Sequence, residues 1–283
     1  MQVVTSISKM QGICQAHYRA NKTIGFVPTM GYFHEGHLAL IKEARKENEL
    51  VVVSVFVNPL QFGPNEDFDS YPRDADRDER LARELGVDYF FYPSKEGMYP
   101  KQLDTVLVCK RRVDVLCGRR RIDHFDGVVT ILAKLFNIVF PDAVYMGMKD
   151  AQQVAVVAGF VEDYNIPTKI VPVATVRERD GLAMSSRNVY LTAEERGVAS
   201  GLYESLQEAR RLARVGERDP AVVLERARYE LLKIEGAEVD YVELYAYPTL
   251  EEVEELRGQV LLAVAVKFSQ ARLIDNVVIK VDK

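Results

Sequence analysis

The 283-residue chain has no tryptophan, four histidines and three cysteines. Cys14, Cys109 and Cys117 are odd in number and show no C-x-x-C spacing. No disulfide framework or zinc ribbon is suggested by them, and a reducing compartment fits. An excess of positive charge is also lacking. Lys and Arg total 37 against 42 Asp and Glu, a net charge of -5. A general nucleic-acid binder would more often be basic, because phosphate contacts supply most of its affinity. Apolar runs such as Val260 to Val266 fall far short of the roughly 20 residues that span a bilayer. Met1-Gln2-Val3-Val4 has no basic stretch followed by an apolar run, so no secretory signal is expected. The expectation is a soluble, cytoplasmic, small-molecule enzyme with no nucleic-acid or membrane partner. Neither G-x-x-x-x-G-K-[ST] nor G-x-G-x-x-G occurs, which excludes two common nucleotide loops.

What is present is an ordinary globular balance, 48% hydrophobic and 28% charged. Strand-like and helix-like runs alternate along the first two-thirds. Strands are expected over Ile24–Val27, Leu50–Val57, Asp88–Tyr92, Ala143–Met146 and Thr168–Val173, with helices over Leu38–Glu47, Asp74–Leu85, Val128–Phe140 and Asp150–Tyr164. The Val-rich, almost continuously apolar Leu50–Val57 reads as a strand buried on both faces. This alternation predicts an α/β fold, a Rossmann-like parallel sheet with helices on both faces. After about residue 176 the order changes to two helices, Thr192–Arg214 and Pro220–Ile234, then strands Val239–Tyr245, Val260–Phe268 and Leu273–Val281. A smaller α+β C-terminal domain is expected over 177–283, following a larger one over 1–176.

The most informative segment is Gly25 to Leu38, G-F-V-P-T-M-G-Y-F-H-E-G-H-L. A strand ends there, a short loop follows, and a helix begins near Glu35. His34 and His37 are three apart and project from one side of the first turn. The helix N-terminus exposes N–H groups and partial positive charge, which suits phosphate. Gly36 lets a ligand approach the backbone closely. H-E-G-H lacks the H-E-x-x-H spacing of zinc peptidases, and no metal site is expected.

Three further segments carry polar groups at expected strand ends or in loops. Asn58 and Gln61, in V-N-P-L-Q-F, offer neutral donors and acceptors beyond a strand's carboxyl end, where open α/β sheets place ligands; a simple polar turn around Pro59 is the plainer alternative. In G-M-K-D-A-Q-Q, Lys149 offers a cation to phosphate, and Gln153 lies four residues on. Asp150 there suits ribose hydroxyls or a helix cap. Ser185, Ser186 and Arg187 lie in a Gly-led polar loop, D-G-L-A-M-S-S-R-N. Arg187 can donate in a fork that matches phosphate oxygens. The clusters Lys110–Arg112 and Arg119–Arg121 are more usually a solvated face.

The H-x-G-H element resembles the nucleotidyltransferase superfamily, which includes class I aminoacyl-tRNA synthetases. The longer run F-V-P-T-M-G-x-x-H-E-G-H, with V-N-P-L-Q-F, G-x-K-D-x-Q-Q and M-S-S-R-N following in order, resembles the pantothenate synthetase family over Gly25 to about Leu191. The resemblance implies condensation of pantoate with β-alanine using ATP and Mg²⁺. It implies catalytic roles for His34, His37, Lys149, Ser185, Ser186 and Arg187, and nucleotide contacts from these together with Met30, Gly147, Asp150, Val176 and Met184. Pantoate contacts are implied for Met30, Asn58, Gln61 and Gln153. Arg121 and His124 join them through R-x-x-H-F-x-G-V, although Ile122, Asp123 and Asp126 depart from that pattern. Asp78 is implied as an acidic contact, 177–283 as a lid, and a homodimer as the assembly. Another adenylyltransferase of the superfamily and a non-enzymatic nucleotide sensor are the alternative readings.

Overall fold

The computed structural model describes residues 1–64 and 66–281; Asn65 of the Val57–Asp67 run lies outside them. The chain divides into two compact units. One comprises Met1–Val113, Gly118–Met148 and Val156–Ala174; the other comprises Asp114–Cys117, Lys149–Ala155 and Thr175–Lys283.

The first unit holds strands β1 (Gln2–Val4), β2 (Ile24–Thr29), β3 (Leu50–Val55), β4 (Tyr89–Phe91), β5 (Ala143–Gly147) and β6 (Lys169–Val173). They form one parallel sheet in the order β1-β4-β3-β2-β5-β6. All six residues of β3 are buried. Burying one such Val is worth roughly 1.5–3 kcal/mol, which is why this run reads as continuous rather than alternating. Helices α1 (Ile7–Arg19), α2 (Glu35–Glu47) and α3 (Ala75–Glu84) follow β1, β2 and β3. Leu40, Ile41 and Ala44 of α2 pack with Val51, Val53, Phe90 and Tyr145. Helix α4 (Lys95–Met98) is a single turn, α5 spans Leu116–Arg120, and α6 (His124–Val139) packs against α1. The chain moves from β2 through β3 to β4 on one side and later places β5 on the other. The sheet's switch point therefore lies between β2 and β5, where such folds leave a crevice beyond the carboxyl ends.

The second unit has its own core. It includes the start of α7 (Ala151–Asp163), then α8 (Ala193–Val198), α9 (Gly201–Arg214) and α10 (Pro220–Leu231). Strands β7 (Glu238–Ala246), β8 (Gly258–Lys267) and β9 (Arg272–Val281) form an antiparallel sheet. Val260, Leu262, Val264 and Val266 alternate along β8 and pack with Leu202, Leu206, Val223 and Leu231 of the helices.

Two expectations needed correction. The run 192–214 is two helices rather than one: α8 ends before Ala199 and α9 starts at Gly201, where an added Cβ would lie 2.9 Å from Ile234. The strand over 50–57 stops at Val55, because the chain turns into the one-turn 3-10 helix Pro59–Gln61. The short β1 and helix α1 went unrecognised; α1 buries only Met10 and Cys14, a stripe too thin to stand out.

Candidate active site

The loop from β2 to α2 is held from beneath. Gly31 and Tyr32 both have positive φ, +91° and +54°. At Gly31 an added Cβ would come within 2.8 Å of Val55 and 3.1 Å of Asp78, so glycine is required on both counts. Asp78 is 1% exposed, and its carboxylate accepts the backbone N–H groups of Tyr32 at 2.6 Å and Phe33 at 2.7 Å. Burial raises the Asp78 carboxyl above its ordinary value, more than those two donors and Arg77 lower it. Arg77 donates to the Phe33 carbonyl at 2.8 Å and sits over the Tyr32 ring. Met30, Tyr32 and Asp78 line a cavity of about 630 Å³ in this unit.

His34 is the N-cap of α2. Its Nδ1 accepts from Gly36 N–H at 3.1 Å, while His37 Nδ1 accepts from His34 N–H at 3.3 Å. A ring nitrogen that accepts an N–H bond carries no proton, so each neutral imidazole holds its proton on Nε2. The reciprocal cap thereby fixes two Nε2–H donors at a helix N-terminus, with ring centroids 4.1 Å apart. The chemistry of these donors fits a phosphate.

Beyond β3, the Asn58 side chain is fully committed. Its Nδ2 donates to Gly127 O at 3.0 Å and to Gln61 Oε1 at 2.9 Å; its Oδ1 accepts from Tyr99 OH at 2.8 Å and Leu60 N–H at 3.4 Å. Gly127 O can only accept and Leu60 N–H can only donate, so the amide orientation is determined. Gln61 then turns its Nε2 donor away from Asn58. An added Cβ at Gly127 would lie 2.1 Å from Leu60 O, so only glycine lets α6 approach this turn. Arg121 forks onto Glu66 through Nε at 2.7 Å and Nη2 at 2.5 Å, and His124 Nδ1 lies 2.8 Å from Gln61 O. Burial pushes the Glu66 carboxyl up, but Arg121 outweighs it and holds the group below its ordinary value. The structure therefore gives Asn58, Arg121 and His124 visible work in shaping the turn that carries Gln61.

In the second unit, Lys149 and Asp150 fall in a one-turn 3-10 helix before α7, with Nζ and Oδ1 3.9 Å apart. Asn276 Nδ2 holds the Lys149 carbonyl at 2.9 Å. Gln153 follows in the first turn of α7, and Gly147 ends β5 in the first unit. Val176 and Met184 face each other across a hairpin: Met184 N–H donates to Val176 O at 3.0 Å. Ser185 follows, its Oγ accepting Arg187 N–H at 3.2 Å, and Ser186 is buried. Arg177 anchors this hairpin with a fork onto Asp275 at 2.6 and 2.9 Å. Arg196 ties Glu178 at 2.7 Å and Asp180 at 2.5 Å. That pairing lowers the Asp180 carboxyl.

Arg77, Glu66, Arg177 and Asp275 are supporting residues that sequence reasoning missed; Asp78, expected as an acidic contact, is seen to accept the Tyr32 and Phe33 N–H groups. Asp78 had a signal: it shares a helix face with Leu81, Ala82 and Leu85, and an acid on an apolar face needs buried donors. Among the described residues no cluster of three His, Cys, Asp or Glu could hold a metal ion.

A doubly wound parallel sheet with H-x-G-H at its switch point defines a class of α/β enzymes that handle nucleotides. A family model described as pantoate–β-alanine ligase matches residues 2–278. The pantothenate synthetase of Geobacillus sp. (strain WCH70) is 57% identical over 281 residues, covering 99% of this chain and 100% of that one. Pantothenate synthetase from Thermus thermophilus superposes with a TM-score of 0.93 at 42% identity, covering 98% of this chain and 99% of that one. Pantoate–β-alanine ligase from Francisella tularensis, crystallised in complex with β-γ ATP and β-alanine, gives 0.80 at 33% identity, covering 98% and 97%. The chain belongs to the pantoate–β-alanine ligase family, whose members are carbon–nitrogen ligases.

Proposed function

We infer that the chain joins pantoate to β-alanine at the expense of ATP, giving pantothenate, AMP and pyrophosphate. The observation that carries the catalytic reading is the reciprocal His34–His37 cap, which fixes two donors at a helix N-terminus. A carboxylate is a poor acyl donor. Pantoate therefore attacks the α-phosphorus, pyrophosphate leaves, and a pantoyl-adenylate forms. The neutral amine of β-alanine then attacks the acyl carbon, AMP leaves with the bond's electrons, and the amine's surplus proton is lost.

His34, His37, Lys149, Ser185, Ser186 and Arg187 stabilise phosphate charge in the first step, as preorganised donors rather than nucleophiles. Met30, Gly147, Asp150, Val176 and Met184 complete the nucleotide contacts. Gln61 and Gln153 hold pantoate beside Met30, supported by Asn58, Arg121 and His124. Residues 1–176 bind ATP and pantoate, and 177–283 supply the Ser185–Arg187 loop. Mg²⁺, when bound with ATP, would neutralise phosphate charge, and with no cluster of three His, Cys, Asp or Glu among the described residues it would rely on the nucleotide and water for its ligands. The working form is a cytoplasmic homodimer with no nucleic-acid or membrane partner.

The test measures pyrophosphate and AMP with each substrate omitted in turn. Pyrophosphate release that needs pantoate, with sustained AMP turnover only when β-alanine is added, is the expected result. Release indifferent to pantoate would overturn the substrate assignment.

A further inference from the structure

Lys149 can meet phosphate only if its ammonium is aimed, and nothing firm aims it from the tip. Its side chain is 19% exposed, and its one ionic neighbour among the described residues is Asp150 Oδ1 at 3.9 Å. That exceeds hydrogen-bond reach, and the Asp150 side chain is half exposed. A compact ammonium on a flexible four-carbon stem is then directed chiefly by the backbone it leaves. That backbone lies in the one-turn 3-10 helix Met148–Asp150, outside both sheets.

A side chain 127 residues away holds it. Asn276 Nδ2 donates to the Lys149 carbonyl at 2.9 Å, and Asn276 is buried. A carbonyl only accepts, so the amide must present its NH₂ there. Residue 276 is anchored in turn. It lies on β9, an edge strand of its sheet, opposite Ala263 of β8. Its N–H bonds to Asp275 Oδ1 at 2.7 Å, and its carbonyl accepts from Arg177 Nη2 at 3.4 Å. Successive strand residues face opposite ways. Asp275 shares the core-facing side with Leu273 and Val277, and Asn276 takes the other. One dipeptide thus fastens the root of Lys149 and, through the Arg177 fork, the hairpin that leads to Ser185–Arg187.

We propose that Asn276 is a positioning residue for the ligase reaction: it fixes the backbone of Lys149 so that the ammonium meets phosphate as pantoyl-adenylate forms. This role presupposes that Lys149 meets phosphate, as inferred above. The chemistry asked of position 276 is narrow, a neutral, buried N–H donor of fixed reach. Asn276→Asp keeps the volume but puts a carboxylate, which only accepts, against the Lys149 carbonyl. Asn276→Ala removes the donor without adding that repulsion. A merely space-filling side chain would rank the two variants the opposite way.

The test is single-turnover, pantoate-dependent pyrophosphate release by the full chain at saturating ATP. It compares the parent, Asn276→Ala, Asn276→Asp, Lys149→Ala and the double variant Lys149→Ala with Asn276→Ala, each checked for folding by urea denaturation. Should Asn276→Ala not fold, Asn276→Asp in the two backgrounds supplies the same cycle. Asn276→Ala should slow release about tenfold, and Asn276→Asp further, toward about 10²-fold. In the Lys149→Ala background the loss of Asn276 should cost less than about twofold, because no ammonium is left to aim. Equal losses in both backgrounds, or an Asn276→Asp variant faster than Asn276→Ala, would overturn the positioning role and leave the phosphate role of Lys149 standing. Lys149→Ala as fast as the parent would overturn both.

Discussion

The loop after β2 and the hairpin 176–184, which leads into Ser185–Arg187, both carry residues proposed above to meet phosphate, but they are fastened by different means. The first is gripped through its backbone: one buried carboxylate, Asp78, accepts two successive N–H groups, and Arg77 takes the next carbonyl. The second is gripped largely through side chains, by the Arg177–Asp275 fork and the Arg196 pairs. A backbone grip leaves the imidazoles little room to wander, because any shift strands buried donors. A side-chain grip can lengthen or exchange partners at smaller cost wherever water reaches it. This contrast suits a reaction in which one set of donors stays fixed and the other adjusts to a changing phosphate.

The largest effect should come from breaking the one buried member of the second grip. Asp275 is 2% exposed, and Arg177 above it is mostly covered, stacked 3.7 Å from the Tyr203 ring. Removing one partner of a buried pair typically costs about 3–5 kcal/mol, because the other charge is left uncompensated. Asp275→Ala should lower urea-unfolding stability by about that amount. A loss near zero would show that Arg177 finds water instead, and the hairpin's fastening would have to be sought elsewhere. Next is His37→Ala, which removes both an Nε2–H donor and the acceptor that caps His34 N–H. Adenylate formation, followed as pantoate-dependent pyrophosphate release, should fall about 10²–10³-fold. Unchanged release would break the assignment of the fixed donors.

The placement of the imidazole pair was readable along the chain because it is contiguous. Strand, loop, imidazole pair and helix follow one another from Gly25 to Leu38, so the spacing alone carried the geometry. The parallel sheet was equally visible, since a strand buried on both faces leaves an unbroken apolar run. The supports were not readable in the same way. Phe33 is 45 residues from Asp78, and Arg177 is 98 residues from Asp275. A charged side chain in a charged stretch looks like surface until the fold supplies its partner. Arg121 shows the same limit: its basic cluster reads as a solvated face, and in the structure its fork closes on Glu66, 55 residues away.

A smaller loss is expected from Asp78→Asn. The amide keeps one oxygen to accept one N–H but sets its NH₂ against the other donor, at a cost of about 1–3 kcal/mol. Because the loop carries both imidazoles, kcat for adenylate formation should fall while the KM for β-alanine, used in the later step, stays near parent. A variant as stable and as fast as the parent would show that the backbone grip is incidental.

The smallest effect separates the two grips by sign. The Asp78 carboxyl is raised in the folded protein, chiefly by burial, so the folded state binds its proton more tightly than the unfolded chain. Its charged form is a cost at neutral pH, and that cost is relieved as pH falls through the raised value toward the ordinary 3.8. The Asp180 carboxyl is lowered, chiefly by Arg196. Its contribution is present above the ordinary value and is lost as pH falls through the lowered one. Urea-unfolding curves recorded between neutral and acid pH, for the parent, Asp78→Asn and Asp180→Asn, isolate each group. The stability of the parent relative to Asp78→Asn should rise on acidification. Relative to Asp180→Asn it should fall, and weakly, because that pair is exposed to solvent. Two differences that change in the same direction would mean that the loop carboxylate is held by charge, as the hairpin's is. The contrast between a backbone grip and a side-chain grip would then fail.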